Sequence, residues 1–266
     1  MFFGIFINKI AVYAHILGGF SVFVVRKNTL IVIGILVVCF FVSIFSINAL
    51  AGASQTNLSP TGLTVVIDAG HGGIDGGVSG VKTGVTESEL NLSVAFCLQE
   101  CFKSAGVKTV LTRTDENGLY GVYNDYTFKR RDMENRRKII EKAKPDLVIS
   151  IHMNKFSTAS RRGAQVFFDE KNEKGVMLAK SVQQSLNAMP ECVKQTSALK
   201  GDYYILNSHP YPACIVECGF LSNPDDETLL LTEEYRQKIA YAIFKGSIDY
   251  LSKVTCFGEE SANSWV

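Results

Sequence analysis

Val65-Val66-Ile67-Asp68-Ala69-Gly70-His71-Gly72-Gly73 decides how this chain is read. A short apolar run rich in β-branched residues and bounded by glycines predicts a strand buried on both faces. The run stops at an aspartate and opens into a glycine-rich loop. Glycine lets the backbone turn sharply there, and His71 is delivered where open α/β sheets place their ligands, at the carboxyl ends of strands.

Working outward, two further runs have the same form. Leu147-Val148-Ile149-Ser150-Ile151-His152 again ends in histidine, and Ala213-Cys214-Ile215-Val216-Glu217-Cys218-Gly219 ends in a carboxylate. Between them, residues 86–106 read as a helix, with Thr86 and Glu89 in capping-box spacing, and residues 129–144 as a charged helix stopped by Pro145. Residues 175–189 and 233–250 complete the helices, and residues 107–112, 164–168 and 203–206 are shorter strand candidates. Strands alternating with helices of this length predict an α/β fold: a single domain with a mostly parallel twisted sheet flanked by helices. Its expected extent is residues 64–251, with a tail at 252–266.

Upstream the composition changes. No Asp or Glu precedes Asp68, and the only basic residues there are Lys9, Arg26 and Lys27. An uncharged run begins at residue 30. Residues 30–53 are long enough to approach a bilayer span, and the cations just before it place the amino terminus in the cytoplasm and the rest of the chain outside. Two readings stand, an uncleaved anchor and a signal segment cut at a small-residue site, the anchor being preferred. Residues 1–29 form a separate apolar segment, read as an interfacial helix, a second short span or a translated upstream extension. Residues 54–63 read as a linker. Beyond the apolar part the charges nearly balance, so no basic surface for nucleic acid is expected. Seven cysteines match no zinc or disulfide spacing and read as small buried hydrophobes.

The chemistry rests on few residues. A hydrolytic zinc takes three protein ligands and keeps one position for water. His71 and His152 supply two, and the third is sought among Glu87, Glu217 and the aspartates. A capping box would occupy Glu89 and leave Glu87 spare at a helix start, where an ionised carboxylate is favoured. Glu87 is therefore assigned as the third ligand. Glu217, alone at a strand end, is costly to bury without a purpose, and fits a general base and acid beside the metal. Asp68 either bonds the glycine-loop amides or orients a histidine. His209, in a proline-bounded loop, reads as a surface residue or at most a substrate contact. Asn154 and Arg131 are named as substrate-reading candidates. A phosphate cradle is the rival for the glycine loop, but Gly80-Val81-Lys82-Thr83 breaks the Walker spacing and no Gly-x-Gly-x-x-Gly opens a helix.

Four stretches resemble one family: Val66 to Gly73, Glu87 followed by Asn91-Leu92, Ser150-Ile151-His152-Met153-Asn154, and Val216-Glu217-Cys218-Gly219-Phe220-Leu221-Ser222-Asn223. They are similar in type and order to the zinc-dependent N-acetylmuramoyl-L-alanine amidases of the Amidase_3 type, over residues 64–251. Ala69 stands where members often carry proline. The resemblance implies zinc on His71, Glu87 and His152, with Glu217 as catalytic acid/base. It also implies hydrolysis of the amide between the lactyl group of N-acetylmuramic acid and L-alanine in peptidoglycan. The compact build with an apolar amino-terminal segment, no wall-binding repeats and Tyr203-Tyr204-Ile205-Leu206 resembles the spore-cortex members. These strip stem peptides so that muramic-δ-lactam forms for germination, and some work with a lipoprotein partner. Such a protein is expected outside the cytoplasm, membrane-anchored or secreted, in the forespore intermembrane or cortex space. The alternatives are a degenerate membrane-anchored wall-binding or partner protein, and a zinc peptidase acting on the stem peptide.

Overall fold

The structure, a computed structural model, describes residues 9–16, 19–26, 28, 31–33, 36, 62–121 and 127–262. The chain divides into two compact units, Met1–Leu58 and Ser59–Val266.

In the first unit, β1 (Lys9–Ile16) and β2 (Gly19–Arg26) pair antiparallel, with Lys9 opposite Arg26 and Ile16 opposite Gly19. Residues 1–29 are expected to form an interfacial helix, a second short span or a translated upstream extension; the described residues pair as antiparallel strands instead of a helix. Their Val, Ile, Phe and Tyr residues favour a pleated surface, and a two-residue link suffices for antiparallel strands. Within residues 30–53 only 31–33 and 36 are described; they are helical and exposed. No helix among the described residues is long and apolar enough to cross a membrane. The cleavage sites, most of the linker and the last residues of the tail lie outside the described residues.

The second unit holds the sheet. Its strands are β3 (Thr64–Ala69), β4 (Lys108–Leu111), β5 (Leu147–Asn154), β6 (Gln165–Phe168), β7 (Leu199–Lys200) and β8 (Ala213–Phe220). They lie in the order β4-β3-β5-β8-β6-β7. All neighbours are parallel except β6 against β8. The helices are α1 (Glu87–Ser104), α2 (Phe128–Ala143), α3 (Glu173–Asn187), α4 (Tyr204–Asn207), α5 (Pro224–Leu230) and α6 (Glu233–Ala262). The mixed α/β sheet flanked by helices is as the sequence predicts.

Strand parity sorts the side chains onto two faces. Val65, Ile67, Leu147, Ile149, Ile151, Cys214 and Val216 join the larger core with residues of α1, α3 and α6. Val66, Val148, Ala213 and Ile215 join the smaller one, with Ile140 of α2 and Ile205 and Leu206 of α4. Burial on both sides explains why these strands read as continuous apolar runs. The same parity sends Asp68, Ser150, His152 and Glu217 toward the smaller face, at its carboxyl end.

Two elements differ from the reading. Residues 203–206 were expected as a strand, but Tyr204–Asn207 is a helical turn; four apolar and aromatic residues carry no period that separates the two. Helix α5 was not anticipated. Asn223 caps it, its side chain accepting from the Asp225 and Asp226 amides, and Pro224 fits its first turn.

Candidate active site

The site begins where β3 ends. The Gly70 amide donates to the Ile151 carbonyl at 3.0 Å, which ties the start of the loop to β5. A Cβ at Gly70 would lie 2.2 Å from the His152 ring, so only glycine lets the imidazole lie over the backbone. His71 follows with φ +61°, a left-handed conformation uncommon outside glycine. That turn swings its ring back toward α1.

His71 Nδ1 lies 3.0 Å from Asp75 Oδ2, and its Nε2 lies 3.2 Å from Glu87 Oε1. His152 Nδ1 lies 2.9 Å from the same Glu87 oxygen. The two rings meet edge-on, 5.0 Å between centroids. Ligand atoms of His71, Glu87 and His152 all fall within 4.8 Å of one another, a grouping able to hold a metal ion. Burial alone would lower the His71 pKa, but Asp75 and Glu87 overcome it and raise it to about 9. Burial would likewise raise Glu87, yet His152 and His71 hold it well below the usual carboxylate range.

Glu87 is 3 % exposed and fully engaged. Its Oε2 accepts from the Val78 amide at 2.9 Å and its Oε1 from the Met153 amide at 3.2 Å. Gly77 makes room for it: a Cβ there would sit 2.4 Å from Oε2. The reason given for Glu87 being spare does not hold, however. Thr86 makes no side-chain cap. The first amides of α1 are instead met by loop carbonyls, Glu87 donating to Val78 at 2.8 Å and Ser88 to Gly76 at 3.1 Å. The glycine loop itself caps the helix.

Glu217 stands opposite His152 in the β5–β8 register. Burial pushes its pKa up to about 7, and its Oε2 has no hydrogen-bond partner among the described residues. All four residues line one cleft of about 480 Å³, walled by Tyr120 and Phe128 on α2's side and by Tyr203 and Tyr204. Asn154 lines it too; Arg131 is not among the lining residues.

Two expectations are corrected. Asp68 touches neither the loop amides nor a histidine. It accepts from Thr112 Oγ1 at 2.7 Å, Ser150 Oγ at 2.6 Å and Arg136 Nη1 at 2.6 Å, because parity points it under the sheet end toward α2. His209 is not on the surface: it is 8 % exposed and packs against Tyr211.

Sequence reasoning missed Asp75, Arg113 and Arg136, and quoted Asn91 beside Glu87 without giving it a role. Asn91, one turn beyond Glu87, donates to the Gly70 carbonyl at 3.1 Å and to Glu87 Oε1 at 3.4 Å; its i,i+4 spacing was the available signal. Asp75 lies four residues from His71, and only the loop's turns bring them together.

The donor set fits a borderline divalent cation. Two imidazoles and one carboxylate leave a coordination position open, as catalytic zinc requires. Asp75 on Nδ1 directs the His71 Nε2 lone pair toward the centre.

Residues 65–249 match the family model described as N-acetylmuramoyl-L-alanine amidase. The chain is 31% identical over 199 residues to the germination-specific N-acetylmuramoyl-L-alanine amidase of Bacillus subtilis (strain 168), spanning 74% of this chain and 83% of that protein. Among solved structures it resembles the CwlD amidase from Clostridioides difficile in complex with the GerS lipoprotein. There the TM-score is 0.68 and the identity 33%, over 71% of this chain and 98% of that one. The amidase AmiC2 of Nostoc punctiforme gives a TM-score of 0.62 and 27% identity, over 71% and 97%.

Proposed function

Because this chain belongs to the N-acetylmuramoyl-L-alanine amidase family and is a peptidoglycan amidase, we propose that it works with zinc held by His71, Glu87 and His152, with Glu217 as acid/base. The observation that carries this is the convergence of His71 Nε2, Glu87 Oε1 and His152 Nδ1 in the cleft that Glu217 also lines. When bound, the ion supplies Lewis acidity, polarising the scissile carbonyl and acidifying water. Glu217 accepts the water proton at its unpartnered Oε2 and passes it to the leaving nitrogen. The C–N bond breaks, leaving a lactyl carboxylate on the glycan and a free amine on L-alanine. A carboxyl with a pKa raised toward neutrality suits both halves of that transfer. The Tyr203 and Tyr204 rings line the cleft and offer flat faces on which sugar rings of a glycan strand would stack.

The setting we infer is the spore cortex, where removal of the stem peptide frees the lactyl carboxylate for muramic-δ-lactam formation before germination. Similarity to a germination-specific amidase supports it, and similarity to an amidase solved with a lipoprotein supports a lipoprotein partner. Action outside the cytoplasm, with the apolar amino-terminal segment as anchor or signal, belongs to the same proposal. Mass spectrometry of peptidoglycan digested by the full-length chain tests the reaction. The expected products are intact stem peptides with a free L-alanine amine and glycan carrying free lactyl groups. Fragments cut within the peptide, with L-alanine retained on muramic acid, would make the protein a peptidase.

A further inference from the structure

Two buried arginines, on β4's downstream side and on α2, converge on the backbone that carries His71. Arg113 and Arg136 are 3 % and 1 % exposed. Arg113 Nε donates to the Ala69 carbonyl at 2.9 Å and its Nη2 to the Gly70 carbonyl at 3.1 Å. Arg136 Nη1 donates to the Ala69 carbonyl at 2.7 Å and its Nη2 to the His71 carbonyl at 2.6 Å. Three successive carbonyls leaving β3 are thus held by two planar forks. The same Arg113 Nη2 also donates to Ser88 at 2.7 Å, the residue after Glu87 in α1. One guanidinium therefore joins the loop of one candidate ligand to the helix of another. Arg136 is held in turn by Asp68 and Asp132.

Burying two cations side by side is a poor way to stabilise a core, since apolar residues of similar volume usually serve as well or better. Arg136 also bonds the carbonyl of His71, one of two non-glycine residues with a left-handed backbone among the described residues, and Arg113 holds the two carbonyls just before it. Such a conformation persists only where its surroundings over-determine it. We propose that Arg136 and Arg113 are positioning residues for the metal site. They clamp the Ala69–His71 carbonyls so that the His71 imidazole meets Glu87, and they set the distance between that loop and α1. Arg136 lines the cleft, but its hydrogen bonds go to Asp68, Asp132, Thr112 and backbone carbonyls, and none to the His71, Glu87 or His152 ligand atoms. The inference rests on the zinc reading above.

The test compares Arg136→Lys with Thr112→Val in the full-length chain. Lysine keeps the charge opposite Asp68 but is a point donor that cannot span two carbonyls. Thr112→Val removes a hydroxyl that bonds Asp68 and lies 3.4 Å from Arg136 Nη1, while leaving in place every donor the two arginines direct at the Ala69, Gly70 and His71 carbonyls. Zinc affinity is read by competition with a chromophoric chelator, and the metal-free melting midpoint is read alongside. Arg136→Lys is expected to weaken zinc binding about ten- to hundredfold, the usual effect of losing a partner that orients a ligand. Thr112→Val is expected to lower the midpoint without that weakening. Unchanged zinc affinity in Arg136→Lys, or equal weakening in both variants at matched loss of midpoint, overturns the proposal. Should Arg136→Lys not fold, Arg113→Lys makes the same comparison, and collapse of both marks the pair as structural and also overturns it. A wild-type chain that takes up no zinc refutes the zinc reading itself, a result distinct from any of these.

Discussion

Replacing Glu217 by glutamine should slow the enzyme and at the same time stabilise its metal-free form. Burial raises the Glu217 carboxyl from 4.5 to about 7. At roughly 1.4 kcal/mol per pKa unit, that corresponds to at most about 3 kcal/mol. The sign follows from proton uptake. Between pH 4.5 and about 7 the unfolded chain has lost this proton while the folded chain keeps it, so stability falls across that window and stays lowered above it. Glutamine, of the same shape and uncharged, removes the loss. Metal-free Glu217→Gln should therefore melt several degrees above wild type at pH 8, since 1 kcal/mol moves the midpoint by about 2–4 °C in a domain of this size. At pH 4 the difference should vanish. Catalysis should move the other way, by about 10²–10⁴-fold in kcat, as for the loss of a general acid/base, or roughly 3–5 kcal/mol of barrier. The assays are calorimetry of chelated protein and chromatographic release of stem peptides from purified peptidoglycan at verified zinc content. Turnover within about tenfold of wild type, or a metal-free midpoint not raised at pH 8, would refute the reasoning.

Three further outcomes follow from the geometry. Asp75→Ala removes the acceptor on His71 Nδ1 and should weaken zinc binding about tenfold to a hundredfold in chelator competition; unaltered affinity would exclude Asp75 from orienting the ring. Burial would raise the Asp68 carboxyl, but Arg136, Ser150 and Thr112 bring it down to about 2 from 3.8. It thus contributes on the order of 2 kcal/mol that is present above pH 4 and lost as pH falls through 2, and urea titrations of Asp68→Asn should show a flattened acid limb. Gly77→Ala combines φ +70° with a Cβ 2.4 Å from Glu87 Oε2. It should destabilise the domain by more than about 1 kcal/mol and impair metal uptake, whereas normal uptake would show that Glu87 can shift freely.

Much of this arrangement is legible in the chain because strands β3, β5 and β8 are buried on both faces. Their apolar runs stand out, and each run's polar terminator marks a position at the sheet's carboxyl edge. His152 and Glu217 are register neighbours, and counting parity back from the ends of their runs puts them on one face. What was hidden is what depends on the loop's path. Residues 70–86 return to α1 with loop carbonyls in place of a capping side chain, so Glu87 was selected for a reason the structure does not share. Arg136 sits in a helix dense with charge, where one buried arginine looks like the rest of a solvated face. Arg113 lies 44 residues from Ala69, and no local spacing links them. The apolar amino-terminal stretch suggested a helix or a span because hydropathy is blind to pairing; its β-branched and aromatic residues carried the strand signal.

The central claim is that His71, Glu87 and His152 hold one catalytic cation. Elemental analysis of the purified full-length chain and of His71→Ala, Glu87→Gln and His152→Ala tests it most directly, paired with peptide release before and after chelation. Wild type should carry about one zinc per chain, lose activity on chelation and regain it on zinc addition, while each variant should lose both metal and activity. A chelated wild-type protein that still releases stem peptides, or a His152→Ala variant that keeps its full metal content, would contradict the account.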